Sequence, residues 1–292
     1  KDHLKIRSSN KKKITIDLLG GLGNLLFQLA CIHNISIKHN LEVIINLEHC
    51  EKKRESSLKY HLFDNFFRSN IIIDNKYQII TEKNILYNKL NINNKKNISV
   101  KGYFQNILYF KDTLDEFKQK LNFYLLDIAK NIYSKIKKKY SNNKLICIHI
   151  RGSDYIEFKN YHYNLSKKYY KNACNDIEKN DDNVIYILFT DDYKYANTNF
   201  RRFFDIHIGE LINEFISDEF KYLLNNNELE LLLISCFNII ICANSTFSLW
   251  GCYLSNATNI YIPSKWFGID GPKDFKINEL CLNGNYKIIN II

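Results

Sequence analysis

The sequence predicts an α/β protein. Strand-like runs rich in isoleucine and valine alternate with helical stretches along the chain, and this alternation favours α/β architecture. A glycine cluster joins the first strand-like run to the first helical stretch, as in a βαβ unit. With 292 residues, 46% of them hydrophobic, the chain can bury one large core or two smaller ones.

The first βαβ unit is predicted from three segments. Ile14–Leu19 is a strand, Leu25–His39 an amphipathic helix and Leu41–Leu47 a second strand. The sequence GGLGNL lies between the first strand and the helix. Glycine lets a ligand approach the backbone, and free N–H groups at a helix start bind anions. Taken alone, a tight turn without a ligand is an equally good interpretation.

The middle of the chain contains a predicted boundary between two domains. Residues 51–100 show no clear helix or strand pattern. Residues 102–123 are predicted to form a short aromatic segment followed by a helix. The polar run NIYSKIKKKYSNNK, residues 131–144, ends that helical region. We therefore predict two domains, an N-terminal one over residues 1–142 and a C-terminal one over 143–292.

The α/β alternation restarts in the second domain. In order, the predicted elements are the strand LICIHI (145–150), a helix over 165–180, the strand VIYILFT (184–190), the helix ELELLLISC (228–236), the strand NIIICA (238–243), a helix entered through NSTFSLWGCYLS (244–255) and the strand NIYIP (259–263).

Charge and cysteine usage exclude several classes. The net charge is +10, but lysines scattered over the chain are typical of a solvated surface, so we expect no nucleic-acid partner. The eight cysteines form no CxxC pair and no Cys/His ligand spacing, which predicts no metal site. No window reaches the roughly 18 apolar residues of a membrane span. Because no leader is visible, we expect a cytoplasmic protein, or one from the Golgi lumen if an N-terminal anchor has been removed.

The glycine turn does not match the common nucleotide-binding fingerprints. Leu26 stands where the dinucleotide pattern G-x-G-x-x-G needs its third glycine, and no Gly-Lys-Ser/Thr follows. A dehydrogenase is therefore the least favoured function. Asn24 and Gln28 remain as polar side chains on one face of the helix.

Three strand ends carry candidate site residues. In CIHIRGSDYIEF, His149 and Arg151 point to the same side of the strand end, and Asp154 follows. Arginine can hold a phosphate with two parallel hydrogen bonds. A purely structural Arg151–Asp154 ion pair is the alternative. In FTDDY, carboxylates such as Asp191 can hold a metal, accept from a ribose or bind guanine N–H donors. A helix N-cap with a first-turn acid is the alternative.

The third strand end is CANSTFSLWG. Its small polar residues lie at a helix start, where side chains and N–H groups form a phosphate cradle. They are Asn244, Ser245, Thr246 and Ser248. Helix capping explains one or two of them.

The order of these motifs identifies the chain as a member of a family. GGLGNLLFQLA, GYFQNILYF, IHIRGSDY, FTDD, LLLISCFNIIICANSTFSLWG and IYIPSKWF together resemble glycosyltransferase family 11, the inverting α1,2-fucosyltransferases. The resemblance spans about residues 14–267. It implies the GT-B fold, in which two Rossmann-like domains face each other across a cleft and the second holds the nucleotide.

The resemblance also implies site residues. His149 matches the histidine near the guanine, Arg151 the arginine that grips the diphosphate, and Asp191 the acid that contacts guanine. Thr246, Phe247 and Ser248 match the loop around the phosphates. Gly21, Gly23 and Asn24 match the turn of the first domain that closes over the sugar diphosphate.

Four positions depart from the family pattern. Gly152 replaces a second arginine and Ser153 the glycine that usually follows it, Leu25 replaces a polar residue, and Leu249 a tryptophan. Two alternatives therefore stay open: the same fold with another nucleoside diphosphate deoxyhexose as donor, and a glycan-binding pseudoenzyme.

The implied reaction transfers L-fucose from GDP-fucose to a glycan hydroxyl, with O-2 of a galactose-like unit as the expected position, and with inversion. We expect Arg151 and the amides of Ser245–Ser248 to stabilise the leaving diphosphate, without a metal or other cofactor. Asp154 is the candidate general base by motif position, with Glu157 behind it. The expected partners are therefore a nucleotide sugar and a glycan acceptor.

Overall fold

Two parallel sheets organise the molecule. The structure, a computed structural model, describes residues 11–46, 60–69, 71–179 and 183–291. Within these ranges each half of the chain builds one sheet with helices packed on it. Such buried parallel sheets need helical crossovers, which explains the alternation in the sequence.

The first sheet has the order β3-β2-β1-β5-β4, and its strand pairs are all parallel. Its elements are β1 (Lys13–Ile16), helix α1 (Leu22–His39), β2 (Glu42–Asn46), β3 (Phe67–Ser69), β4 (Tyr77–Thr81) and β5 (Asn97–Lys101). Helices α2 (Leu114–Lys120) and α3 (Leu126–Lys139) follow and lead to the second half.

The second sheet has the order β11-β10-β9-β6-β7-β8, again with all pairs parallel. Its strands are β6 (Lys144–Ile150), β7 (Val184–Thr190), β8 (Ile206–His207), β9 (Ile239–Ile241), β10 (Asn259–Pro263) and β11 (Tyr286–Ile289). Its helices are α4 (Asp154–Glu157), α5 (Lys167–Glu178), α6 (Tyr193–Phe200), α7 (Ile208–Phe215), α8 (Asn227–Ile234) and α9 (Thr246–Leu254).

The predicted first βαβ unit is confirmed with shifted bounds. β1 ends at Ile16 and α1 begins at Leu22, so Gly23 and Asn24 belong to the helix rather than to a loop before it. Leu47, at the predicted end of the second strand, lies outside the described residues.

The polar run over residues 131–144 is mostly helical, contrary to the sequence interpretation. Helix α3 continues to Lys139 because Ala129, Ile132 and Ile136 lie on one buried face while its lysines stay in solvent. The predicted boundary between residues 142 and 143 lies just before β6. It stays a prediction, and residues 1–10 and 292 of the two predicted domains lie outside the described part.

One hydrophobic cluster joins the two halves. Phe27 of α1 lies 5.4 Å from Trp250 of α9 between ring centroids, and Phe110 stacks on Trp250 at 5.5 Å. All three side chains are fully buried. Aromatic packing of this kind fixes α1 of the first half against α9 of the second. Two parallel α/β sheets joined across a cleft form the GT-B architecture that the sequence motifs imply.

No helix in the described ranges is both long and apolar enough to cross a membrane.

Candidate active site

A cavity of about 560 Å³ opens in the cleft between the two halves. Residues that follow β1, β6 and β7 line it, so it lies at the carboxyl ends of strands from both sheets. Ligands of α/β proteins bind at this edge of a sheet. The cavity is lined by Gly21, Leu22, Gly23, Asn24, Tyr60, Gln105, His149, Arg151, Asp154, Tyr155, His162, Phe189, Thr190, Asp191, Asn225, Asn227, Glu230, Ser245, Thr246, Phe247, Trp266 and Phe267.

The glycine turn has two separate structural causes. Gly20 has a φ of +84°, a left-handed conformation that favours glycine. A Cβ on Gly23 would lie 2.5 Å from the carbonyl carbon of Thr246. Gly23 therefore permits the close approach of α1 to the start of α9. Gln28 accepts from the Leu19 N–H at 3.0 Å and donates to the Leu19 carbonyl, which fastens the turn to α1.

Asn24 connects three segments at the cavity wall. Its Oδ1 accepts from Thr246 Oγ1 and from Gln105 Nε2, both at 2.9 Å. The side chain thus joins α1, the GYFQN segment after β5 and the start of α9. Gly21, Gly23 and Asn24 all line the cavity, and their contact with a sugar diphosphate stays a prediction.

Arg151 sits at the end of β6 between two carboxylates. Its Nη2 donates to Asp154 Oδ1 at 2.6 Å, and its Nη1 lies 3.0 Å from Asp191 Oδ2. The guanidinium carbon lies 5.2 Å from the ring centroid of Tyr155. These contacts fix the planar group at the cavity wall, and the Arg151–Asp154 pair considered from the sequence does form.

Asp191 is engaged at both oxygens. Oδ1 accepts from the Gly152 N–H at 2.8 Å, and Oδ2 faces Arg151. The carboxylate lines the cavity and at the same time orients the arginine. A contact between Asp191 and a base stays a prediction.

His149 lies in the same wall, almost fully buried. Burial lowers its pKa from 6.5 to about 4, with Asp191 opposing the shift and Arg151 adding to it. The imidazole is therefore neutral at pH 7. Its buried Nδ1 has no hydrogen-bond partner within the described ranges.

The start of α9 offers backbone amides to the cavity. The N-cap residue Ser245 makes no side-chain capping bond, so the first N–H groups of the helix remain available for an anion. Ser245, Thr246 and Phe247 line the cavity.

Two other predicted residues of this segment lie behind the cavity wall. Asn244 donates through Nδ2 to the carbonyls of Tyr163 and Trp266, at 2.7 and 2.8 Å. Ser248 is fully buried, with its hydroxyl 3.1 Å from Cys242 Sγ. Neither lines the cavity, so the structure gives both a supporting position, and direct contact with a substrate stays a prediction.

The glycine at position 152, where the family pattern has a second arginine, has a steric explanation. A Cβ at this position would lie 2.8 Å from Asp192 Cβ and 3.0 Å from Tyr195 Cδ1. Here the strand end packs too closely against α6 for a second arginine. Ser153 next to it has a φ of 41°, in the region that favours glycine.

Glu230 was missed by the sequence interpretation. It lies on α8, lines the cavity, and its side chain has no hydrogen-bond or ion-pair partner in the described part of the chain. Burial raises its pKa from 4.5 to about 7. The sequence signal was a charged residue within the apolar helix ELELLLISC. A half-buried acid without a partner in a cleft is typical of a functional site.

Comparison with known proteins gives a consistent assignment. The chain is 27% identical to the O-antigen biosynthesis glycosyltransferase WbnK of Escherichia coli, over 86% of this chain and 93% of that one. It is 25% identical to an alpha-1,2-colitosyltransferase of Escherichia coli, over 86% of this chain and 91% of that one.

Solved fucosyltransferase structures also resemble the chain. NodZ alpha-1,6-fucosyltransferase co-crystallised with GDP matches with a TM-score of 0.48 at 12% identity, covering 86% of this chain and 94% of NodZ. A mutant of Arabidopsis thaliana FUT1 in complex with GDP matches with a TM-score of 0.45 at 12% identity, covering 90% of this chain and 71% of that chain.

The family model glycosyl transferase family 11 matches residues 3–268. With the motifs of that family placed around one cleft between two parallel sheets, the chain belongs to glycosyl transferase family 11.

Proposed function

We propose that this glycosyltransferase moves L-fucose from GDP-fucose to O-2 of a galactose-like unit with inversion, as a galactoside α1,2-fucosyltransferase. The observation that carries the proposal is the juxtaposition of Arg151 with the uncapped starts of α1 and α9 in one cavity. A guanidinium and two sets of amides suit a diphosphate.

Arg151 and the α9 amides stabilise the negative charge that develops on the departing diphosphate. Asp154 and Asp191 both form ion pairs with Arg151. Asp154 is the more exposed of the two, with 47% of its side chain accessible against 22% for Asp191. We expect the β-phosphate to displace Asp154 from Nη2, while Asp191 keeps the guanidinium in place.

Base recognition falls to His149 and to Glu230. Guanine presents two adjacent N–H donors on one edge, and a carboxylate can accept both. Asp191 already accepts from Gly152 and Arg151. Glu230 has both oxygens available within the described structure, so we assign it the guanine edge, with Asp191 acting through Arg151.

No divalent metal takes part in this mechanism, since Arg151 and the helix amides supply the positive potential.

We place the protein in the cytoplasm, where nucleotide sugars are available to it as donors.

A second donor has specific support. One relative of similar length is an alpha-1,2-colitosyltransferase. Colitose is fucose without its 3-hydroxyl group. A donor panel with GDP-fucose and GDP-colitose separates the two, because an enzyme that binds the 3-hydroxyl strongly discriminates against the sugar that lacks it.

The central experiment measures GDP release and product linkage with GDP-fucose and simple galactosides in the presence of EDTA. We expect GDP release that depends on the acceptor and a 1,2-linked product. GDP binding without any turnover on the donor panel would instead identify a glycan-binding pseudoenzyme. Loss of activity in EDTA and recovery with Mg²⁺ would refute the metal-free mechanism.

Arg151→Ala tests the leaving-group role. We expect kcat to fall about 100-fold or more, because the main charge facing the diphosphate is lost. Arg151→Lys should recover only part of the activity, because lysine lacks the planar fork. Arg202→Ala is the matched control: its guanidinium also packs on an aromatic ring, that of Phe203 at 4.7 Å, but it lies outside the cavity. Near-normal turnover of Arg151→Ala would contradict the assignment.

A further inference from the structure

A second cavity, of about 730 Å³, adjoins the first. Glu82 and Tyr103 line it from the first half, and Tyr161 and Lys273 from the second. Four residues line both cavities: Asn24, Gln105, His162 and Phe267. A molecule bound in one cavity can therefore reach a molecule bound in the other along this shared wall.

His162 is held rigidly in the shared wall. Its ring stacks on Tyr155, with centroids 4.0 Å apart and an angle of 5° between the planes. The Tyr155 hydroxyl donates to the Asn244 carbonyl at 2.8 Å, and Arg151 packs on the same Tyr155 ring. The imidazole is thus positioned by the residue that also supports the proposed diphosphate-binding arginine.

The backbone on either side of His162 is fixed as well. The Tyr161 carbonyl accepts from the Gly268 N–H at 2.8 Å, and the Tyr163 carbonyl accepts from Asn244 Nδ2. Neither ring nitrogen of His162 has a hydrogen-bond partner in the described ranges. Nδ1 is buried, whereas Nε2 remains accessible. A polar nitrogen is therefore left open at the junction of the two cavities.

The imidazole is neutral near pH 7. Burial lowers its pKa from 6.5, Asp154 opposes the shift and Arg151 adds to it. The ionisable groups around it are Arg151 at the end of β6, Asp154 and Tyr155 on α4, Tyr161 beside it, and Glu82, Lys273 and Asp274 around the second cavity.

Asp154, the base expected from the motif, is less suited to this task. It lines the first cavity only, whereas His162 lines both cavities.

We propose that His162 is the general base of the transfer and that the second cavity holds the acceptor sugar, an inference that rests on the proposed function. Nε2 takes the proton of the acceptor hydroxyl as its oxygen bonds to the anomeric carbon. The bond from that carbon to the β-phosphate oxygen breaks, and GDP leaves with the electron pair. The imidazolium then loses its proton to water. Nδ1 carries the ring hydrogen before the reaction.

The test compares wild type with His162→Gln at saturating GDP-fucose across pH 4.5–8.5. Saturation removes the contribution of Glu230, which acts on donor affinity. In wild type kcat falls tenfold per pH unit below the His162 pKa, at pH values under 6.5. In His162→Gln, kcat is about 100-fold lower near neutral pH. The decrease of kcat towards low pH, called the acid limb, is absent from this variant, and its Kd for GDP stays within twofold of the wild-type value. Added imidazole restores activity to His162→Ala.

Two variants keep the test specific. His207→Gln removes another half-buried histidine whose pKa burial lowers, and it retains the acid limb because His207 lines neither cavity. Asp154→Asn also retains the limb. If His162→Gln keeps the limb, or if Asp154→Asn loses it, the proposal fails, although GDP binding and transfer by wild type would still uphold the proposed function. Absence of transfer by wild type would refute both.

Discussion

At the scale of single residues, two carboxylates of one cavity have opposite surroundings. Asp191 is paired with Arg151 and accepts from Gly152. Glu230 has no partner in the described structure, and burial alone raises its pKa to about 7. A protein gains no stability from a half-buried acid that has no partner. Glu230 therefore fits a ligand that brings its own donors.

Glu230→Gln should weaken GDP binding and at the same time raise the stability of the protein. GDP affinity should fall at least tenfold, because an amide has one acceptor where guanine presents two donors. At the same time the variant should be more stable than wild type at pH 8, by up to about 3 kcal/mol, since ionising the acid costs stability when its pKa rises from 4.5 to about 7. Calorimetry with GDP and urea unfolding measure the two effects.

The sign of the pH dependence follows from the raised pKa. Between pH 4.5 and 7 folded wild type holds a proton that the unfolded chain has lost, so its stability decreases as pH rises through this window. The stability difference between Glu230→Gln and wild type should grow over the same window and stay constant above it. A difference that is flat with pH, together with unchanged GDP affinity, would show that Glu230 plays no part in the site.

At the scale of elements, the site depends on how closely two helix starts approach each other. Gly23 of α1 lies against the Thr246–Phe247 backbone of α9, and the Asn24 side chain joins the same two helices. The amides of both helices can face one diphosphate only while this approach is maintained. The glycine thus serves the contact between the two halves.

Gly23→Ala should push α1 and α9 apart. The added Cβ meets backbone atoms at 2.5–2.7 Å, which cannot rotate away, and we expect a loss of about 1–3 kcal/mol in unfolding free energy with a marked fall in kcat. Gly284→Ala is the control, because nothing lies within 4 Å of its new Cβ. Equal stability and activity of the two variants would show that the approach is not required.

At the scale of the whole molecule, one core couples both sheets. The contacts of Phe27 and Phe110 with Trp250 belong to a cluster that contains buried residues of both halves. The second half also has a buried cluster of its own, but the shared cluster contains most of the interior of the first half. We therefore expect them to unfold together.

Phe27→Ala tests this coupling. Calorimetry should give a single transition for wild type and for the variant, shifted by a loss of about 3–5 kcal/mol. Phe67→Ala, at a position that is 48% exposed, should cost less than about 1 kcal/mol. Two separate transitions, with only one of them shifted by Phe27→Ala, would contradict a shared core.

In the second half the sequence predicted the strands β6, β7, β9 and β10 and the helices α5, α8 and α9, because apolar runs bounded by polar residues specify buried strands. It did not predict α4, α6, α7 and β8, and it took β10 as the last strand although β11 follows. It failed at α3, where a helical stripe of three buried residues is hidden among lysines. It also assigned one role to all the small polar residues before α9. Thr246 lines the cavity and Asn244 and Ser248 do not, because their side chains point in different directions, which the local sequence does not encode.

The sequence by itself determined the family, the α/β alternation and the position of Arg151 at a strand end, because these depend on local order and spacing. The tertiary structure alone decided that Gly23 faces another helix, that Asp191 is engaged by Arg151 and that Glu230 and His162 enter the cavities. These facts depend on contacts between residues distant in sequence, and such contacts are set only when the two sheets pack against each other.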